Sequence, residues 1–299
     1  MTTPAANFSI TLPPDYRRQD VLAFHGRDTE ATAERVEPAR IRKGMTVDGV
    51  AVVLDIALSQ FQAVCHAYAD GALPAGASAR LLGAARGILG LHIDPAPFAA
   101  LAAADALFGP AVRKQTGLRI VQSGTVFEAL TWAIIGQQIN LSFAIALRRT
   151  FILQAGRQHS SGLWCYPEAA DVAPMALEQL CKRKFSRAKA ETLLRVARLV
   201  DGGQLALAGQ GEIADVSQAL LAIKGIGPWT VNYTLLRGYG YADCALHGDV
   251  AVQAALQHLL GEPVKPDIAR TEAILAQYQP YRSMAAAHLW ASLHPRSEA

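Results

Sequence analysis

The sequence predicts an α+β protein, in which an N-terminal antiparallel β-sheet domain with short helices precedes a larger all-α body. Two patterns support this fold class. β-rich stretches separated by turn signals occupy the first 68 residues, and apolar residues recur at helical spacing from Asp94 onward. The length of 299 residues, of which 51% are hydrophobic, allows two or three domains and excludes long disorder. We therefore predict domains over residues 1–93 and 94–299.

The N-terminal domain is predicted to contain a sheet of four or five strands. Residues 8–12 alternate in polarity like a strand, which a proline pair at 13–14 ends. Lys43-Gly44 and Asp48-Gly49 are turn signals between further β-rich stretches. These stretches cover residues 35–45, 47–58 and 61–68, and short helices are expected over 16–25 and 75–90.

The C-terminal body is predicted to consist of about ten helices, and the sequence shows no solenoid repeat. Ser186 is a typical N-cap residue at the start of one of them. The helices are expected over residues 95–107, 125–136, 142–155, 176–181, 186–200, 216–223, 228–237, 249–260, 267–278 and 283–293.

Basic residues are concentrated in the middle of the chain. Residues 110–240 carry 15 basic and 8 acidic side chains, a net charge of +7, whereas residues 1–109 and 241–299 carry −2 each. This segregation indicates a surface that faces a polyanion. Within it, residues 182–198 contain seven basic side chains and one acidic one, which fits either phosphate binding or a solvated helix face.

Several classes of protein are disfavoured. No apolar run reaches the ~18 residues that a membrane-spanning helix needs, and residues 1–15 lack the basic and apolar regions of a secretory signal. The four cysteines are scattered and form no C-x-x-C pair, so neither a zinc knuckle nor an iron–sulfur cluster is expected. The predicted location is the cytoplasm, with reduced thiols.

The most informative segment is residues 220–230, where a short loop joins two apolar helices. Gly225 and Gly227 flank Ile226, so the backbone can turn sharply and a phosphate can approach its amides. Pro228 suits the first turn of the following helix, whose free N–H groups point at such an anion. Taken alone, this pattern also fits an ordinary turn between two helices.

Asp249 follows Trp229 by twenty residues, at the start of an apolar helix. A glycine hairpin followed by Asp at this spacing resembles the helix-hairpin-helix (HhH-GPD) DNA glycosylase superfamily. Three more segments resemble the family's Gly-Gln loop, its Ser-x-x-Lys stretch and its C-terminal P-W-R-S motif: residues 129–140, 182–189 and 280–290.

The β-rich start followed by this helical body looks specifically like bacterial DNA-3-methyladenine glycosylase II, the AlkA-like branch of the superfamily. The resemblance implies an N-terminal domain of the TATA-binding-protein-like (TBP-like) type. It also implies that the helical body has two subdomains, one over residues 122–238 with the hairpin and one formed by residues 94–121 plus 239–299.

The resemblance implies excision of alkylated purines, of the 3-methyladenine and 7-methylguanine type, from duplex DNA in base excision repair, by a monomer associated with the bacterial nucleoid. Asp249 is then the catalytic carboxylate, which stabilises the positive charge that develops on the sugar as the base leaves. An Asp here is also a typical N-cap, and the two roles are compatible. Trp229 stands where bifunctional relatives have a Lys, so a monofunctional enzyme is expected.

The family surrounds the flipped base with aromatic side chains, and four residues match those positions: Trp229, Tyr233, Tyr281 and Phe24. Aromatic faces attract a cationic base more than a neutral one, which would select alkylated purines. Tyr281 departs from the Trp that is usual in the family. Core packing is an alternative for Phe24, and it is the expected role of the remaining tryptophans: Trp132, Trp164 and Trp290.

The resemblance also implies contacts with DNA. Gly225, Gly227 and Thr230 are expected to contact the DNA backbone. Gln138 is either the wedge that fills the gap left by the flipped base or a helix-capping amide. No cofactor is required, although hairpin carbonyls are expected to hold a structural monovalent cation: those of Ile223 and Ile226.

Three alternatives remain open. The same fold acting on hypoxanthine or on an oxidised base such as 8-oxoguanine is a close rival. A non-catalytic helix-hairpin-helix protein that only binds DNA would not need Asp249 or the aromatic set. A hydrolase of free nucleosides would not need the hairpin or the basic segment.

Overall fold

The computed structural model describes residues 3–207 and 212–293. Its N-terminal part is a five-stranded antiparallel sheet in the order β1-β5-β4-β3-β2, which confirms the predicted fold class. Two helices accompany the sheet, α1 (Arg18–His25) and α2 (Ala77–Ile88). The strands are β1 (Ala6–Thr11), β2 (Glu34–Glu37), β3 (Arg40–Val47), β4 (Val50–Leu58) and β5 (Gln62–Ala69).

One of the two predicted turns lies elsewhere. Asp48-Gly49 forms the turn between β3 and β4, and both residues adopt positive φ. Lys43-Gly44, in contrast, lies inside β3, so that prediction was wrong. The backbone of Trp164 approaches Gly44 so closely that a Cβ there would lie 2.1 Å from the Trp164 carbonyl oxygen. Gly44 is therefore required for close contact within the fold rather than for a turn.

The rest of the described chain is helical, as predicted, but it also contains a short two-stranded ribbon, β6 (Arg157–Gln158) and β7 (Trp164–Cys165). Ser186 is the predicted N-cap and accepts a hydrogen bond from the Lys189 amide. The stretch predicted as one helix over 95–107 ends early, and α4 and α7 were not predicted. The α-helices are α3 (Ala96–Ala102), α4 (Gly109–Lys114), α5 (Val126–Gly136), α6 (Leu141–Ala155), α7 (Ala169–Val172), α8 (Leu177–Cys181), α9 (Arg187–Asp201), α10 (Ile213–Leu221), α11 (Pro228–Thr234), α12 (Val250–Leu260), α13 (Ile268–Ala276) and α14 (Arg282–Ser292). A π-helical turn, Leu235–Tyr239, directly follows α11.

Two hydrophobic cores hold these parts together. One lies between the sheet, α1 and α2, and the other fills the helical body from residue 93 onward. Between them lies a buried cluster of four charged side chains, which we call the interface ion network: Glu34 and Lys43 from the sheet, and Glu128 and Arg148 from α5 and α6. Buried charges persist only when they are paired, so this network fixes the sheet against the helices.

Charge pairing inside the interface ion network is complete. The Lys43 ammonium lies 2.5 Å from Glu34 Oε1 and 2.8 Å from Glu128 Oε1, and Arg148 Nη2 lies 2.7 Å from each of the same oxygens. The two cations hold the pKa of both glutamates below the ordinary value, although burial alone would raise it. Both glutamates are therefore ionised at neutral pH.

Within residues 3–207 and 212–293, no helix is both long and apolar enough to cross a bilayer.

Candidate active site

Asp249 is the N-cap of α12, the position that its side-chain chemistry favours. Its Oδ1 accepts hydrogen bonds from the amides of Ala251 (3.0 Å) and Val252 (2.9 Å), which otherwise lack partners at the start of a helix. The residue is only 9% exposed. Because the partial positive charge of a helix N-terminus favours an anion, this position stabilises the ionised carboxylate.

Two tryptophans complete the hydrogen bonding of this carboxylate. The indole N–H of Trp229, on α11, donates to Asp249 Oδ2 at 2.8 Å, and that of Trp290, on α14, donates to Oδ1 at 3.1 Å. Trp290 packs against the core as expected, but its contact with Asp249 was missed because nothing local in the sequence relates the two residues. Four donors from three helices therefore fix the carboxylate.

The glycine loop between α10 and α11 brings Trp229 to this place. Gly225 adopts φ +98°, and a Cβ there would lie 2.2 Å from Thr192 Oγ1, so no larger residue fits without movement. Pro228 lies in the first turn of α11, as predicted, and the side chain of Ile226 is buried. Arg195 Nη1 donates to the Lys224 carbonyl at 2.8 Å, which ties the loop to α9.

A glutamine next to the predicted wedge joins the loop after α5 to this hairpin. Gln137 Nε2 donates to the Gly225 carbonyl (3.0 Å) and to Thr230 Oγ1 (2.9 Å). Thr230 is only 2% exposed, and its hydroxyl is engaged by Gln137 within the protein. Gln137 was not singled out in the sequence as a contact of the hairpin.

Gln138 is exposed and adopts φ +55°, a conformation that few residues other than glycine take up. The helix-capping alternative for this residue is not observed. The N-cap of α6 is Asn140, whose Oδ1 accepts from the Phe143 amide at 2.9 Å. Gln138 therefore projects from the surface beside the hairpin.

The hairpin carbonyls expected at a monovalent cation lie on the glycine loop. The Ile223 carbonyl accepts the Ile226 amide at 3.0 Å, and a carbonyl oxygen has a second lone pair for a cation. Oxygen ligands of this kind suit a hard cation, so the residues fit such an ion.

Three of the four predicted pocket residues lie near one another. The rings of Trp229 and Tyr233 stack with centroids 5.1 Å apart and planes at 29°. Phe24, on α1, faces the same region from the N-terminal domain and is half-buried. Tyr281 is half-buried at the N-cap of α14, the helix that carries Trp290. Trp132, expected only to pack in the core, also donates its indole N–H to the Tyr233 hydroxyl at 3.1 Å.

Two arginines that sequence reasoning missed cover these aromatic faces. The guanidinium carbon of Arg27 lies 3.7 Å from the Phe24 ring centroid, and that of Arg237 lies 4.8 Å from the same centroid and 5.8 Å from that of Tyr233. Burial lowers the pKa of Arg27 to about 10, which leaves it charged at neutral pH. Phe24 and Tyr233, two of the four aromatic residues expected to attract a cationic base, therefore already lie against the protein's own cations.

The arginines and the interface ion network enclose a small cavity between the two cores. The space inside it is about 40 Å³, well below the roughly 300–1,000 Å³ of typical small-molecule pockets. We call it the interface cavity, and its lining includes Phe24, Arg27, Trp132, Tyr233 and Arg237. A purine enters this space only if side chains move.

The basic side chains of residues 182–198 fall into a structural group and an exposed group. Three of its basic side chains donate to backbone carbonyls of neighbouring elements: Lys189 to Ile135, Arg195 to Lys224, and Arg198 to Ala173. The other four are exposed: Lys182, Arg183, Lys184 and Arg187. The exposed group fits both alternatives predicted for this segment, phosphate binding and a solvated helix face, and within it Arg187 is paired with Glu191.

Comparisons with known proteins show which family this chain belongs to. Residues 131–280 match the family described as HhH-GPD superfamily base excision DNA repair protein. A DNA-3-methyladenine glycosylase of Bacillus subtilis (strain 168) is 31% identical over 209 residues, which cover 68% of this chain and 69% of that protein. DNA-3-methyladenine glycosylase 2 of Escherichia coli (strain K12) is 25% identical over 176 residues, 58% of this chain and 60% of that one.

Solved structures extend the similarity to the whole fold. A 3-methyladenine DNA-glycosylase from Archaeoglobus fulgidus superposes with a TM-score of 0.82 at 20% identity, covering 98% of this chain and all of that one. An 8-oxoguanine glycosylase/lyase from Clostridium acetobutylicum gives a TM-score of 0.70 at 13% identity, covering 94% of this chain and 95% of that one. With the family match and the 31% identical relative, these findings show that the chain belongs to the HhH-GPD superfamily of base excision DNA repair proteins.

Proposed function

We propose that the protein is a monofunctional DNA glycosylase that removes alkylated purines from duplex DNA, acting as a monomer without a required cofactor. The names of its relatives support the substrate class. The observation that carries the proposal is the Asp249 carboxylate, which four donors hold beside the stacked Trp229 and Tyr233 rings. A protein that only binds DNA has no need of a carboxylate fixed in this way, because the negative charge repels phosphate.

The hydrogen bonds of Asp249 favour an electrostatic role. Among the residues that the structure describes, Oδ1 accepts three hydrogen bonds, whereas Oδ2 accepts only the one from Trp229. A carboxylate offers about four lone-pair positions, so Oδ2 is the atom with a position left for the sugar or for a water. As the base leaves, the sugar becomes positively charged, and a fixed anion next to it lowers the barrier.

Water is the nucleophile in this proposal. Trp229 supplies no amine at the position where bifunctional family members have a Lys, and Lys224 lies on the preceding side of the glycine loop with its carbonyl held by Arg195. Without an amine to form a Schiff base, the product is an abasic site in an intact strand.

The hairpin and the loop after α5 are proposed to hold the DNA. Phosphate approaches the amides of Gly225, Gly227 and Thr230 at the start of α11. Gln138 is exposed beside them and would fill the space from which the damaged base rotates into the pocket. The carbonyls of Ile223 and Ile226 would hold the monovalent cation, which would help to keep the loop in shape.

The test is release of bases from a duplex treated with a methylating agent, followed by chromatography of the free bases. We expect methylated purines in the supernatant and an uncut strand until the abasic sites are cleaved by alkali. Absence of any released base would overturn the glycosylase proposal. Strand cleavage without alkali would overturn the monofunctional assignment.

A further inference from the structure

We infer that Arg27 and Arg237 form a pair of hydrogen-bond donors that recognises the 6-carbonyl oxygen of a damaged purine. The interface cavity would then favour hypoxanthine and 7-methylguanine, which carry that oxygen, over 3-methyladenine, which carries an amino group there. This inference rests on the proposed glycosylase function and extends its substrates to hypoxanthine, a purine that is deaminated rather than alkylated.

The other charges that line the interface cavity are already balanced. The interface ion network contains two cations and two anions in mutual contact. Asp28 is paired with Arg149, at 2.5 Å. His25 lies against the Ile88 carbonyl, and burial lowers its pKa to about 4, so it is neutral at pH 7. None of these groups supplies a free anion to the two arginines.

Arg27 and Arg237 are left without a carboxylate partner among the residues described. Arg27 Nε donates to the Phe24 carbonyl at 2.7 Å, and Arg237 Nη1 donates to the Val121 carbonyl. Arg237 Nε is buried and has no acceptor in the described part of the chain. A buried donor without an acceptor is costly, so a ligand that brings an acceptor would be bound with a gain in free energy.

The two guanidinium groups lie where they would meet the base rather than the sugar. They stack on Phe24, and Arg237 also lies 5.5 Å from the ring centroid of Trp290, the residue whose N–H contacts Asp249. A base that enters must displace the Arg27 guanidinium from the Phe24 face or stop at its edge. In either arrangement, the edge of the purine that carries the substituent at position 6 would face the N–H donors of Arg27 and Arg237.

The chemistry of that edge decides which base gains from the contact. The planar guanidinium is a donor suited to the O6 acceptor of hypoxanthine and of 7-methylguanine, and in hypoxanthine also to N7, which carries the methyl group in 7-methylguanine. The 6-amino group of 3-methyladenine is itself a donor. The unpaired positive charges also repel a cationic base. A neutral base carrying the carbonyl therefore gains from both effects, and a cationic base carrying the amine gains from neither.

The same pair would assist departure of a neutral base. When the bond between C1′ and N9 of a hypoxanthine nucleotide breaks, both electrons remain on the base, which leaves as an anion. Guanidinium donors at O6 would stabilise that charge. Water adds to C1′, and the proton that it loses reaches the base through solvent. 3-Methyladenine leaves as a neutral molecule and needs no such assistance.

The test compares single-turnover excision of three bases by wild type, Arg27→Met and Arg237→Lys. Arg80→Met, on the exposed surface of α2, is the matched control. Because a hydrogen bond to a charged group is involved, Arg27→Met should lower hypoxanthine excision roughly ten- to a hundred-fold more than 3-methyladenine excision. Arg237→Lys keeps the charge and should show the same preference to a smaller degree, with 7-methylguanine intermediate in both.

Equal loss of excision for all three bases in both arginine variants would indicate a structural role and would overturn the inference. Excision rates that match those of wild type for all three bases would overturn it as well. If Arg27→Met does not fold, as judged by circular dichroism, Arg27→Gln gives the same comparison. No release of any base by wild type would instead refute the proposed function, on which the inference rests. Release of methylated purines with unchanged ratios would leave the proposed function intact and refute the inference alone.

Discussion

Replacing Lys43 by methionine tests the interpretation that the interface ion network joins the two cores. The substitution keeps the apolar stem and removes an ammonium group that is 1% exposed and lies 2.5 Å and 2.8 Å from two carboxylates. Glu34 and Glu128 would then face Arg148 alone, with one negative charge uncompensated. Breaking a buried pair in this way costs about 3–5 kcal/mol. At roughly 2–4 °C per kcal/mol for a large domain, Tm should fall by about 6–20 °C.

The assay is urea or thermal unfolding of purified variants followed by circular dichroism. The double variant Lys43→Met/Glu34→Gln restores the charge balance, since Glu128 and Arg148 remain paired, and should be more stable than Lys43→Met. Arg80→Met, which removes an exposed pair with Asp48, should cost no more than about 1 kcal/mol. A loss at Lys43→Met as small as that at Arg80→Met would refute the reasoning, as would a double variant that is less stable still.

Three further predictions concern the site and its surroundings. Gly225→Ala should destabilise the protein by about 1–3 kcal/mol and weaken binding to DNA in gel-shift assays, because φ +98° and Thr192 leave no room for a Cβ. Trp290→Phe keeps an aromatic side chain but removes the indole N–H that donates to Asp249, so single-turnover excision should slow by roughly tenfold or more. Stability should decline as pH falls below about 6.5, first through His25, whose folded-state pKa of about 4 lies below its ordinary value of 6.5. It should decline further below about pH 4.5, as the two network glutamates are protonated towards their lowered folded-state pKa values; a flat profile of urea midpoints would contradict this.

Local sequence signals were sufficient to predict the structural role of a residue wherever that role depends on its neighbours along the chain. Ser186 and Asp249 cap helices, Asp48-Gly49 turns the β3–β4 hairpin, and the glycine loop lies between α10 and α11, because caps and turns are decided within a few residues. The Lys43-Gly44 pair was interpreted as a turn because glycine is typical of turns. In the structure Lys43 lies within β3, where its ammonium group is paired with Glu34 and Glu128, which are 9 and 85 residues away along the chain.

The site was predicted only in part, for the same physical reason. Asp249 and Trp229 were singled out because their spacing resembles that of the superfamily, and the structure joins the two side chains by a hydrogen bond. The contact of Trp290 with Asp249 spans 41 residues, and the stacking of Arg237 on Phe24 spans the two cores. Such contacts depend on how helices from different parts of the chain pack, and neither hydrophobic periodicity nor cap chemistry specifies that.

The most direct test of the central claim is excision of methylated purines from duplex DNA by Asp249→Asn, compared with Asp267→Asn. Both residues cap helices with a side-chain oxygen, and asparagine is an equally good N-cap, so both variants should fold with nearly unchanged Tm. Only Asp249→Asn removes the charge proposed to stabilise the sugar, and its excision rate should fall by about 10²–10³-fold while Asp267→Asn keeps the wild-type rate. Equal rates for the two variants would contradict the assignment of Asp249 as the catalytic carboxylate.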